Sequence, residues 1–168
     1  TNNINISKQK NDKVLKITKE KISVEITNKF TEANLKLNKF FDYYNKGIVY
    51  AYEKLLKSKF VVSVGSGTDA LFLSLKALGI KEGDEVITPS YTFYATIGAI
   101  VTAGAIPVFV DIKEDYNLDE SLIEKKITKK TKAILPVHWA GRICEMTKII
   151  QISKKYNIPI VEDACHGI

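Results

Sequence analysis

Residues 60–64 read F-V-V-S-V, residues 65–78 read G-S-G-T-D-A-L-F-L-S-L-K-A-L, and the pattern stops at Gly79. A short apolar run rich in β-branched residues, a glycine turn and an apolar helix with a glycine stop make a strand, a turn and a helix in that order. The alternation continues towards the C-terminus. Glu85–Thr88 reads as a strand, Phe93–Ala103 as a helix of small residues ending at Gly104, and Ile106–Val110 as a buried strand. Asp119–Ile127 follows as a short helix capped by Asn117 or Asp119, then Ala133–Val137 as a strand, Met146–Tyr156 as an amphipathic helix and Ile160–Val161 as a last strand. Short apolar runs alternating with helices of about ten residues build βαβ units. The expected fold is therefore α/β, a three-layer, mostly parallel sheet flanked by helices. In such sheets ligands sit beyond the carboxyl ends of the strands. Attention goes to Gly65–Asp69, Pro89–Phe93, Asp111, His138–Gly141 and Glu162–His166.

Towards the N-terminus the pattern loosens. Apolar residues recur at helical spacing from Phe30 to Lys57, with a break expected near Gly47, and residues 1–28 are a polar extension rich in Lys and Asn. The net charge of +6 is uneven: residues 1–60 hold 13 lysines against 6 acids, whereas the remainder is nearly balanced. No recognisable nucleic-acid module gathers that charge, so it reads as a solvated surface. No apolar run reaches the 18 or so residues of a membrane span. The first thirty residues lack the apolar core of a secretory signal. Cys144 and Cys165 make no disulfide framework, and no metal-ligand spacing is present. A cytoplasmic protein is expected. The sole methionine is Met146 and the chain stops just after a strand at Ile168, which reads as the front part of a longer protein.

Each strand end admits more than one reading. Gly65–Ala70 opens a helix with glycines that let backbone N–H groups approach an anion, and Thr68 adds a hydroxyl. The alternative is a tight turn capped by Ser66 or Thr68. It also fits G-x-G-x-x-A, a nicotinamide-dinucleotide fingerprint. That fingerprint wants an acid at the end of the next strand, where Thr88-Pro89-Ser90 supplies none. The aromatics of Tyr91–Tyr94 could stack on a flat heteroaromatic ring or belong to the core. Glu162 and Asp163 end an apolar strand, and burying a carboxylate is costly unless something positive meets it. A helix cap, a cationic ring nitrogen or, less readily, a metal would each answer that. His138 reads as structural or catalytic, and Arg142 as an anion ligand or a surface residue.

Taken in order, four strings resemble the DegT/StrS-like nucleotide-sugar aminotransferases, a family of fold-type I pyridoxal-phosphate (PLP) enzymes. They are SVGSGTDALFLSLKALGIKEGDEVITPSYTFYAT, GAIPVFVDI, NLDESLIEKKITKKTKAILPVHWAGRICEM and YNIPIVEDACHG, together spanning about Val61 to Gly167. The resemblance implies that Gly67, Thr68 and Asp69 bind the PLP phosphate, that Phe93 stacks on the pyridine ring, and that Asp163 pairs with its nitrogen. His166 falls where the family often has glutamine, against the ring hydroxyl. The resemblance makes residues 29–168 the N-terminal part of the PLP-binding large domain. It puts the cofactor-linking lysine in a later segment, and no lysine present here has its context. The implied activity is amino transfer, from glutamate, to a keto group of a nucleotide-linked sugar by a homodimer. The alternatives are a sugar dehydratase of the same family, with histidine in place of that lysine, a non-catalytic fragment, or a nicotinamide-binding domain.

Overall fold

The computed structural model describes residues 45–167 throughout and residues 35, 36, 39, 42 and 43 before them. The expectations for residues 1–28 lie outside these. The chain divides between Ser63 and Val64 into two units. In the first, the described residues up to Leu56 are helical, Gly47 among them, so the expected break is not there. An exposed helical glycine costs only about 1 kcal/mol relative to alanine, which a helix tolerates. Phe60–Val64 forms no strand, and Phe60 and Val62 are 75% and 81% exposed. A β-branched run becomes a strand only when a neighbouring strand pairs with it, and none among the described residues pairs with this one.

The second unit contains helices α1 (Gly67–Ala77), α2 (Tyr94–Thr102) and α3 (Met146–Tyr156), and strands β1 (Glu85–Pro89), β2 (Ile106–Val110) and β3 (Thr131–Ile134). The strands form a parallel sheet in the order β2-β1-β3. Val86 pairs with Pro107 on one side and Ala133 on the other, and Ile87 with Val108 and Ile134. The expected last strand survives as two parallel bridges, Ile134 to Ile160 and Val137 to Asp163. These bridges bring Asp163 to the carboxyl end of the sheet.

The side-chain period of two explains the layers. Successive residues of a strand point to opposite faces. Val86 and Ala133 therefore join Leu71, Leu75, Ala99 and Ile100 of α1 and α2 in one core. Ile87 and Ile134 join Ile149 and Ile152 of α3 in another. A sheet covered on both faces needs apolar residues on each, and Val86 and Ile87 in the middle of β1 supply one to either side.

Residues 119–127 form two short 3₁₀ turns, Glu120–Leu122 and Glu124–Lys126, where a helix was expected. Their N–H groups donate to carbonyls three residues back, as Leu122 does to Asp119 and Lys126 to Ile123. This is the tighter pattern usual for runs of three or four residues. Asp119 is the cap, its Oδ1 accepting from the Ser121 N–H at 2.9 Å. No helix among the described residues is long and apolar enough to cross a membrane.

Candidate active site

The start of α1 is fixed by its own residues. Ser66 Oγ accepts from the Asp69 N–H at 3.1 Å and donates to Asp69 Oδ2 at 2.9 Å, a reciprocal cap. The Ala70 N–H donates to the Ser66 carbonyl. The N–H groups of Gly67 and Thr68 then have no acceptor among the described residues. They form the positive end of the helix, and both residues line a cavity of about 340 Å³.

Phe93, Asp163 and His166 line the same cavity, together with Thr92, Trp139 and Cys165. Five of the six residues singled out in the sequence thus come together. Asp69 does not line the cavity, because its carboxylate is engaged by the cap. Gly67 has a further reason to be glycine: a Cβ there would lie 2.8 Å from Cys165 Sγ, far inside van der Waals contact. The 59% exposed Phe93 ring has its centroid 4.4 Å from that of Tyr94.

Asp163 is 7% exposed. Its Oδ2 accepts from Thr96 Oγ1 at 2.9 Å, and its Oδ1 from the Cys165 N–H at 3.3 Å. Thr96 Oγ1 lies 2.8 Å from Thr92 Oγ1. No cation among the described residues is paired with this carboxylate. Its hydrogen bond, burial and its charge together push the Cys165 thiol up to about 11. Burial pushes the Cys144 thiol up to about 11 as well.

The neighbouring acid and His138 have separate employment. His138 Nδ1 accepts from the Cys144 N–H at 3.3 Å, so its ring proton sits on Nε2, which lies 3.1 Å from Glu162 Oε2. The imidazole is 3% exposed, and Gly167 packs so closely that a Cβ there would come within 2.9 Å of its Cβ. His138 also lines the cavity, and this arrangement makes it a brace in the wall. Arg142 lies outside the lining and reaches the Asp115 carbonyl at 3.5 Å. Among the described residues no three His, Cys, Asp or Glu side chains are grouped to hold a metal ion.

Thr92 and Thr96 were not singled out from the sequence, although both stand in the quoted aromatic string. The available signal was their spacing. Four residues apart across a helix start, they lie on one face, and Thr96 occupies a core position of an otherwise apolar helix.

A positive helix start and a buried, cation-free aspartate facing one cavity at the carboxyl ends of parallel strands suit an anionic heteroaromatic ligand. Residues 22–168 match the model of the DegT/DnrJ/EryC1/StrS aminotransferase family. The chain belongs to that family. It is 43% identical over 122 residues to the 3-oxo-glucose-6-phosphate:glutamate aminotransferase of Bacillus subtilis, covering 70% of this chain and 28% of that protein. It is similar to the crystal structure of NtdA from Bacillus subtilis with bound cofactor PMP, at a TM-score of 0.73 and 40% identity over 74% of this chain and 29% of that one. It also resembles a GDP-4-keto-6-deoxymannose-3-dehydratase with a trapped PLP-glutamate geminal diamine, at a TM-score of 0.69 and 31% identity over 74% of this chain and 34% of that one. The chain thus spans about a third or less of the relatives it matches. Membership of the aminotransferase family replaces the nicotinamide-binding alternative.

Proposed function

We propose that the intact protein transfers an amino group from glutamate to a keto group of a nucleotide-linked sugar. Pyridoxal phosphate is the cofactor, as family membership and the PMP-bound neighbour support. The observation that carries the reading is Asp163, a buried carboxylate held by neutral donors and turned to a cavity that begins at an unpartnered helix N-terminus. That donor set fits the group. The Gly67 and Thr68 N–H groups and the Thr68 hydroxyl would take the phosphate. Asp69 would act through the cap it closes with Ser66. Phe93 would cover one face of the ring, and His166 would meet the ring hydroxyl. Asp163 would hold a proton at the ring nitrogen. Bound there, PLP supplies an electron sink for bonds to the substrate nitrogen-bearing carbon.

In this reading residues 29–168 are the front part of the cofactor-binding domain, and residues 1–28 stand outside it. The intact enzyme is a cytoplasmic homodimer acting in polysaccharide biosynthesis. Glutamate and a keto sugar both occur in the name of the Bacillus subtilis relative. A nucleotide-linked keto sugar occurs in that of the dehydratase, whose likeness also supports dehydration as the second reading.

The test supplies the intact enzyme with ¹⁵N-glutamate and a nucleotide-linked keto sugar. Nitrogen appearing on the sugar supports amino transfer, and loss of a sugar hydroxyl without nitrogen gain makes the enzyme a dehydratase. Neither product, with no PLP or PMP retained, would overturn both.

A further inference from the structure

We propose that Thr96, backed by Thr92, is a positioning residue for Asp163, aiming its carboxylate at the ring nitrogen of the cofactor. The proposal rests on the cofactor reading above. Thr96 is wholly buried, at 0% exposure, in a helix whose neighbouring positions are alanine, isoleucine and glycine. Valine would fill the same space without a hydroxyl to satisfy, and a buried hydroxyl without a partner is costly. A helical threonine commonly returns its hydroxyl to a carbonyl of the preceding turn. Here the proton goes instead to Asp163 Oδ2 at 2.9 Å, across 67 residues of sequence.

The hydrogen count fixes the direction of the chain. Thr96 has one hydroxyl proton and gives it to Asp163, so Thr92 must be the donor in the 2.8 Å contact between the two hydroxyls. Thr92 lies at the cavity lining and Thr96 behind it. The Cys165 N–H holds the other carboxylate oxygen at 3.3 Å. The carboxylate is thus gripped from α2 and from the loop after the last bridge, which sets its rotation. A carboxylate offers about four acceptor positions. The Thr96 hydroxyl and the Cys165 N–H and thiol take three, which leaves room for one more donor, and Asp163 lines the cavity.

The test titrates the chain with pyridoxamine phosphate and with its carbocyclic analogue, in which the ring nitrogen is replaced by C–H. Wild type should prefer pyridoxamine phosphate. Thr96→Val should weaken that ligand by about tenfold, the scale of one hydrogen bond to a charged group, and leave the analogue unchanged. Thr96→Ser should restore the preference. Thr92→Val, a milder change at a half-buried site, should reduce it by roughly threefold. Melting without ligand separates a folding defect from a positioning one. Equal loss of both ligands in Thr96→Val and Thr92→Val would show a purely structural role and overturn the proposal. Wild type that binds both ligands equally would overturn it too. Wild type that binds neither would overturn the cofactor reading and this proposal with it.

Discussion

Glu120 and Asp163 are buried to nearly the same degree, at 5% and 7% exposure, and the fold treats them in opposite ways. Glu120 is closed by cations: Lys148 Nζ lies 2.9 Å from Oε1 and Lys113 Nζ 2.9 Å from Oε2. The Lys148 contact is a hydrogen bond, whereas Oε2 has no hydrogen bond of good geometry and its contact with Lys113 is ionic. Burial pushes the Glu120 carboxyl up, but the two lysines outweigh it and hold it down at about 2. Asp163 meets only neutral donors, the Thr96 hydroxyl and the N–H and thiol of Cys165. A carboxylate already matched by lysines staples two segments of chain. One left with neutral donors beside a cavity is shaped to meet a cation that arrives from outside.

The comparison breaks most visibly in paired variants. Asp163→Asn should lower pyridoxamine phosphate affinity by about a hundredfold, the scale for one partner of a buried charged contact, while leaving the urea midpoint near wild type. Glu120→Gln should do the reverse, leaving ligand affinity unchanged and removing about 2 kcal/mol of stability at pH 7. The Glu120 carboxyl is lowered in the folded chain from its ordinary 4.5 to about 2. Its contribution is therefore present above 4.5 and lost as pH falls towards 2. The urea-measured gap between wild type and Glu120→Gln should close across that window. If Asp163→Asn behaved like Glu120→Gln, the distinction between staple and site would fail.

This contrast could not be read from the sequence, although most of its setting could. The order of strands and helices followed from apolar periods, and helix 146–156 was placed to the residue. Strand-end logic marked the segments, and the family resemblance the residues, of which Gly67, Thr68, Phe93, Asp163 and His166 line one cavity. Several features stayed hidden because they depend on partners distant in sequence. Phe60–Val64 has a strand's composition and no strand beside it among the described residues. Glu162 and Asp163 look equivalent in a string, yet His138, 24 residues away, takes the first. Thr96 looks like helix filler until Asp163 is brought against it. The resemblance places Asp69 at the phosphate, and in the structure its carboxylate and N–H are engaged locally by Ser66.

A smaller effect tests how Asp163 treats its own loop. The Cys165 thiol is exposed yet pushed up to about 11, first by its hydrogen bond to Asp163, then by burial and by the aspartate's charge. At pH 8 only about 0.1% of it would be thiolate, so iodoacetamide should label it slowly, with a rate that climbs with pH. Asp163→Asn should speed labelling at pH 8 by about tenfold, one pKa unit. An unchanged rate would mean that Asp163 does not govern this thiol.

The smallest change concerns the other wall of the cavity. Gly67 leaves just enough room for Cys165, since a Cβ at 67 would stand 2.8 Å from the sulfur. The contact joins the helix start that offers two free N–H groups to the loop that holds Asp163 Oδ1. Gly67→Ala should therefore push Cys165 aside and loosen both grips on the ligand, lowering pyridoxamine phosphate affinity by about fivefold, in the range of about 1 kcal/mol for a modest overpacking. Cys165→Ala removes the sulfur and should be nearly neutral alone. Combined with Gly67→Ala it should restore affinity, because the clash then has no second partner. Additive losses in the double variant would place the cost of Gly67→Ala in the helix start itself.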